Sequence, residues 1–394
     1  MTRPHAPEEV WITGVGLASS LGEGAAPHLA ALEGGRPVLD ETGFAPFPIH
    51  PLPALDLDRQ IPKRSDQRQM EAWQRLGTYA AGLALDHAGA RDRAGGMHLL
   101  VAAGGGERDT ALDERIAAEL APLPAAEAAP LLNQRLASGL RPTLFLAQLS
   151  NLLAGNISIV HGIGGSSRTF LGEEQAGAEA ARVALARLAE GSAEPGIALV
   201  GAAYSAPRWE MLLTYAGGGV LWRGPWAPLR ERLARSGGMV TGSLGAFLVL
   251  ETAAHARARG ARGLARLAAL ATTAARRRGG DGAGAAARAL AGPLLPRLRP
   301  GHAVFSGATG VARPTREEFG FLDWLAAEGP ARGALHLTAD LLGHGIEAAF
   351  PANLGLAALA IAAGQAPQAL VTGFGMWRGE ALALLDAPGA EGSA

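Results

Sequence analysis

Two short segments hold the residues best suited to chemistry. Residues 165–177 read Gly-Ser-Ser-Arg-Thr-Phe-Leu-Gly-Glu-Glu-Gln-Ala-Gly and set Glu173 and Glu174 at the start of an Ala-rich stretch. Leu342-Gly343-His344-Gly345 sets an imidazole before a second such stretch. If both stretches are helices whose starts meet, their N-termini form a small site that favours anions. Glutamate in a first helical turn also complements the helix dipole without any further role. The chain has no Cys, which excludes disulfides, Cys-ligated zinc, iron–sulfur clusters and thiol nucleophiles. Lys occurs once, at Lys63, so any lysine chemistry must use that residue.

Other glycine motifs read as structure. Trp11-Ile12-Thr13-Gly14-Val15-Gly16 ends a strand, but the third glycine of a dinucleotide fingerprint falls on Ser19. Gly104-Gly105-Gly106-Glu107-Arg108 lacks the Gly-Lys-Ser/Thr ending of a phosphate loop and reads as a tight turn.

The positioning elements are legible as short apolar runs bounded by glycine: residues 10–12, 99–102, 157–160, 197–200, 246–250 and 369–371 read as buried strands. Between them, residues 68–88, 176–189 and 354–363 read as helices. Alternation of this kind implies an α/β fold with buried sheets. Ala198-Leu199-Val200 recurs as Ala369-Leu370-Val371, 171 residues later, and the same offset relates Gly172 to Gly343 and Leu188 to Leu359. This repeat predicts two similar halves, each with a central helix buried on all faces. The Arg-rich stretch 257–299, with Arg276-Arg277-Arg278, reads as a solvated connection or as a docking patch for an acidic partner.

The 394 residues are 48% hydrophobic and 18% charged, which excludes a disordered chain. A net charge of −1 gives no drive toward nucleic acid or anionic membrane. Neither a secretory leader nor an 18-residue apolar run is visible, so a cytoplasmic protein without a membrane span is expected.

In order and spacing the chain resembles the β-ketoacyl synthase branch of the thiolase superfamily. Residues 10–21 are similar to its opening strand and turn, and Arg64-Ser65-Asp66 to its Arg-x-Asp segment. Residues 235–251, Arg-Ser-Gly-Gly-Met-Val-Thr-Gly-Ser-Leu-Gly-Ala-Phe-Leu-Val-Leu-Glu, resemble its Arg-Asp-Gly block. Gly343-His344 and Gly373-Phe374-Gly375 resemble its second His motif and closing loop. The resemblance implies a five-layered αβαβα pseudo-duplicated fold. Its ketosynthase-like N-terminal half would span 1–255, with interface or cap insertions near 105–148 and 205–235, and its C-terminal half 256–394.

Aligned on that family, the nucleophilic Cys falls on Glu174, the first catalytic His on Ser306 and the Lys on Ala339. The second His survives as His344, and Phe374 completes the degenerate site. Condensation needs a thiolate to take the acyl chain and donors for the developing enolate. The resemblance therefore implies a non-catalytic subunit like the chain-length factors of type II polyketide and aryl-polyene systems, with a fatty-acid-type pathway also open. Such a subunit would form a heterodimer with a Cys-containing ketosynthase, meet acyl carrier protein through that complex, and use no cofactor or metal. The alternative is a malonyl-carrier-protein decarboxylase using Glu174 and His344. The family also implies pairing across Arg168, Thr169, Phe170 and Leu171, and a tunnel end near Leu140, Leu144 and Phe145.

Overall fold

The computed structural model describes residues 8–142, 144–191, 194–274 and 282–389. Its strands are β1 Val10–Ser19, β2 Gly22–Glu23, β3 Ile49–His50, β4 His98–Ala102, β5 Ser167–Phe170, β6 Ile197–Tyr204, β7 Thr241–Gly242, β8 Leu244–Thr252, β9 Ala265–Thr272, β10 Ala303–Ser306, β11 Leu335–Leu337, β12 Gln368–Phe374 and β13 Glu380–Asp386. Ten of them run in the order β11-β10-β12-β13-β9-β1-β8-β6-β4-β5.

Two copies of one topology lie in that path. Number β1, β4, β5, β6 and β8 as one set and β9 to β13 as the other. Each set then runs third, second, fourth, fifth, first across its sheet. The pairing senses also agree: second to third and second to fourth are parallel, while fourth to fifth and fifth to first are antiparallel. The sets meet where Trp11 pairs with Arg266 and Ile12 with Ala265. The internal repeat is thus a repeat of topology, and its 171-residue offset superposes β6 on β12.

Side chains alternate across each strand. Leu100, Ala102, Ala198 and Val200 face a central core shared by the helices Glu173–Ala189 and Ala349–Ala362. Leu99, Val101, Ile197 and Leu199 face the helices Ala72–Ala88 and Leu152–His161. Val304, Leu370 and Leu384 face Gly282–Ala291 and Ala312–Glu328. The result is helix, sheet, helix pair, sheet, helix. Strands buried on both faces explain the unbroken apolar runs in the sequence.

The glycines of the Gly14-Val15-Gly16 motif serve packing. A Cβ on Gly14 would collide with the Ala84 carbonyl and one on Gly16 with the Ala80 carbonyl, so β1 lies directly against the Ala72–Ala88 helix.

Three sequence expectations need correction. Residues 157–160 are not a strand but the end of the helix Leu152–His161, closed by Gly162 at φ 71°. Leu153 and Ile157, four apart, face the core while Ile159 points outward; a short apolar run does not distinguish the two states. The helix expected over 68–88 is two, Arg64–Gln69 and Ala72–Ala88, the second opened by a Glu71–Gln74 capping box. Finally, His344 does not open the second central helix. It lies in extended backbone bridged to Thr241, followed by a 3₁₀ turn Ile346–Ala348, and the helix starts at Ala349. The two central helices therefore do not begin at matching positions. The Arg276-Arg277-Arg278 patch lies outside the described residues.

Candidate functional site: a carboxyl–imidazole pair in a small cavity

Strand β5 runs through Leu171 into Gly172, at φ 135°, and the first central helix then opens on Glu173, at φ 51°. A non-glycine residue in the left-handed region costs roughly 1–3 kcal/mol and is concentrated at functional sites. Ile346, at φ 45°, is the other such residue among those described. The two tight corners flank the same place and aim Glu174 and His344 at each other. His344 Nε2 lies 3.1 Å from Glu174 Oε1, with both side chains buried.

Around the pair is a cavity of about 10 Å³, lined by Gln175, Ala178, Phe350, Phe374 and Gly375 among others. That is about the space of one water. A second cavity of the same size, also touching His344, is lined by Ser306 and Ala339. The structure therefore brings all five residues of the expected site together, with His344 common to both spaces. The Ser306 hydroxyl donates to Glu318 Oε1 at 2.6 Å, which accepts the Thr372 hydroxyl at 2.6 Å as well. Ala339 is buried in the short helix Ala339–Leu342 and carries no polar group.

Two further charged residues at this place were not singled out from the sequence. Glu347 is buried in the 3₁₀ turn, its carboxyl so close to Gly104 that a Cβ there would collide with Oε1. Burial pushes its pKa up to about 7, Glu174 and Glu173 add to the rise, and Arg208 opposes it. Burial, then repulsion from Glu174, also raises the Glu173 pKa, while Arg378 pulls it down. Arg378 Nη2 stands 3.6 Å from Glu173 Oε2. A signal for Glu347 does exist: it is a lone carboxyl in the run Gly345-Ile346-Glu347-Ala348-Ala349-Phe350. Arg378 has none, because its partner lies some 200 residues away in the chain.

Strand β5 is an edge strand among the described residues, paired to β4 alone. Arg168 stacks on Phe170 at 4.8 Å, Thr169 is half-buried, and Leu171 is 68% exposed. Ile159, on the neighbouring helix, is 73% exposed. Leu140 and Leu144 line a separate groove of about 410 Å³, with Leu136, Arg141 and Pro142. Leu144 is buried and Leu140 exposed. The backbone of Phe145 lies in the short helix Leu144–Ala147, but its side chain is outside the described residues. The groove shares no lining residue with the Glu174 cavity. No helix among the described residues is long and apolar enough to cross a membrane.

Comparison with known proteins agrees with this architecture. The model of the β-ketoacyl synthase N-terminal domain matches residues 52–256, just over half the chain. The ishigamide ketosynthase/chain length factor is similar over 98% of this chain and 100% of its own, with a TM-score of 0.79 and 20% identity. A type II polyketide synthase acyl-carrier protein in complex with its ketosynthase bound to the hexaketide matches over 97% and 99%, at 0.73 and 18%. A β-ketoacyl synthase from Burkholderia phymatum matches over 96% and 99%, at 0.74 and 16%. No curated protein matches the sequence. With its thiolase-like fold and this domain match, the chain belongs to the β-ketoacyl synthase family.

Proposed function

We propose that the protein is a non-catalytic ketosynthase-like subunit. It pairs with a Cys-containing ketosynthase and shapes that enzyme's acyl-chain tunnel, in the manner of a chain-length factor. The observation that carries this reading is Glu174 at the nucleophile position, held 3.1 Å from His344 in a cavity of about 10 Å³. A carboxylate there forms no stable thioester, and the chain offers no thiol elsewhere. The likeness to a ketosynthase/chain length factor supports the same reading. The decarboxylase alternative needs room for a malonyl thioester beside Glu174, and a one-water cavity speaks against it.

The partner face in this reading is the open β5 edge with Leu171 and Ile159. An unpaired edge flanked by exposed apolar side chains is a surface that associates unless covered. The groove at Leu140 and Leu144 is the proposed end of the tunnel, and carrier protein meets this chain only through the complex. The two halves, 1–255 and 256–394, act as one scaffold, with residues 105–148 and 205–235 as interface and cap.

The test is co-expression of the tagged chain with a Cys-containing ketosynthase from the same genome. A stable one-to-one complex is expected, burying about 2,000–5,000 Å² as obligate dimers do. A monodisperse monomer that leaves the ketosynthase behind contradicts the proposal.

A further inference from the structure

The helices Thr110–Leu120 and Ala125–Gly139 form a hairpin that buries little of itself. In the first helix only Leu112 and Ile116 are buried, and in the second no residue is. A Cβ on Gly139 would collide with Leu112, so the two helices close on each other at the hairpin's root. An element with so few buried contacts opens easily, and its direction is set by the residues that lead into it.

Those residues, Gly104 to Glu107, are each held by a group from elsewhere in the chain. Ser150 Oγ donates to the Gly104 carbonyl at 2.7 Å. Arg208 Nη2 donates to the Gly106 carbonyl at 2.6 Å, and Nη1 and Nη2 both reach the Gly105 carbonyl at 3.3 Å. Glu107 Oε1 accepts the Trp73 N–H at 3.1 Å. Glu347, at the candidate site, packs against Gly104. Arg208 is buried, and its Nε donates to Glu210 at 2.8 Å, which fixes the plane of the guanidinium. A planar fork can span two successive carbonyls; an ammonium or a neutral amide cannot copy it. The held segment runs directly into the groove, which Arg108 and Asp109 line together with Arg141 and Leu144.

We propose that Arg208 is a positioning residue: by clamping Gly105 and Gly106 it sets the direction of the 110–139 hairpin and, through Arg108 and Asp109, the shape of the groove and the length of chain the groove admits. The effect on chain length rests on the reading of this groove as the tunnel end; the clamp itself does not.

A hydrogen bond from a charged donor is worth about ten-fold or more in an opening equilibrium. The test is amide hydrogen exchange of the full-length chain, read by mass spectrometry over residues 104–139 and over the central helix Ala349–Ala362. Arg208→Gln should speed exchange over residues 104–120 about ten-fold or more and leave the central helix within about two-fold of wild type. Arg208→Lys keeps the charge but not the fork, and should fall between the two; it serves alone if Arg208→Gln does not fold. Unchanged exchange at the hairpin would overturn the clamp, because the arginine would then hold nothing there. Equal acceleration in the central helix would overturn it too, because Arg208 would then support the whole fold. In the heterodimer, the Arg208 variant should at least about double the share of products that differ from the main length. An unaltered distribution contradicts the link from clamp to length. If Leu144→Ala, in the groove itself, also leaves product length unaltered, the reading of the groove is what fails, and hydrogen exchange alone decides the clamp.

Discussion

Glu347 offers a quantitative check on the site's electrostatics. Its carboxyl is buried against Gly104, with Glu174 and Glu173 close enough to repel its charge, and its pKa is pushed up to about 7 from an ordinary 4.5. A carboxyl that ionises at 4.5 unfolded and near 7 folded penalises the folded state wherever the unfolded chain has lost the proton and the native chain has kept it. Stability is therefore unaffected below about pH 4.5, falls as pH rises from there to about 7, and then levels off. The full gap corresponds to about 3 kcal/mol. Glu347→Gln keeps the shape and removes the titration. Urea unfolding of wild type and variant between pH 4.5 and 8, followed by far-UV circular dichroism, should give curves that diverge by about 3 kcal/mol in favour of the variant as pH rises, with m unchanged. Because burial is the first cause and Glu174 only a contributor, Glu174→Gln should narrow the divergence in part. Parallel curves for wild type and Glu347→Gln would show that Glu347 keeps an ordinary carboxyl titration, which contributes no such slope.

Three further outcomes are expected. Glu174→Cys, at a helix N-terminus that favours thiolate, should not restore elongation: Ser306 is committed to Glu318 and Ala339 has no donor, so ketoacyl product on carrier protein should stay at least about 10²-fold below an active ketosynthase by mass spectrometry. Leu171→Asp should leave the fold intact by circular dichroism and weaken binding to the ketosynthase at least about ten-fold by calorimetry; unchanged affinity would move the partner face away from β5. Leu144→Ala in the heterodimer should shift carrier-bound products toward longer chains, at a folding cost of about 2–5 kcal/mol, and an unchanged length distribution would place the ruler elsewhere.

The architecture was readable because its signals are local. Strands such as β4 and β6 are buried on both faces, so they appear as apolar runs, and duplication leaves matching runs such as Ala198-Leu199-Val200 and Ala369-Leu370-Val371. The meeting of Glu174 with His344 was readable as well, because each follows a glycine turn ahead of an Ala-rich stretch. What escaped depends on the third dimension. The helical state of residues 157–160 is decided by which face of the run meets the core. The Glu347 titration is decided first by its burial in the folded chain and then by carboxyls brought from the other central helix. The Glu173–Arg378 pair closes a contact between the two halves of the chain. Gly343-His344 precedes an apolar helix and so suggests a helix start at His344, yet the bridge to Thr241 and the strained Ile346 corner intervene.

In the proposed pairing this chain contributes shape, and its partner the chemistry. The most direct measurement is the intact mass of carrier protein after incubation with acyl- and malonyl-loaded carriers and the chain alone, the Cys-containing ketosynthase alone, or their complex. The expected result is no ketoacyl or decarboxylated carrier above the no-protein level with the chain alone, and elongated product of defined length with the complex. Elongated or decarboxylated carrier formed by the chain alone would contradict it.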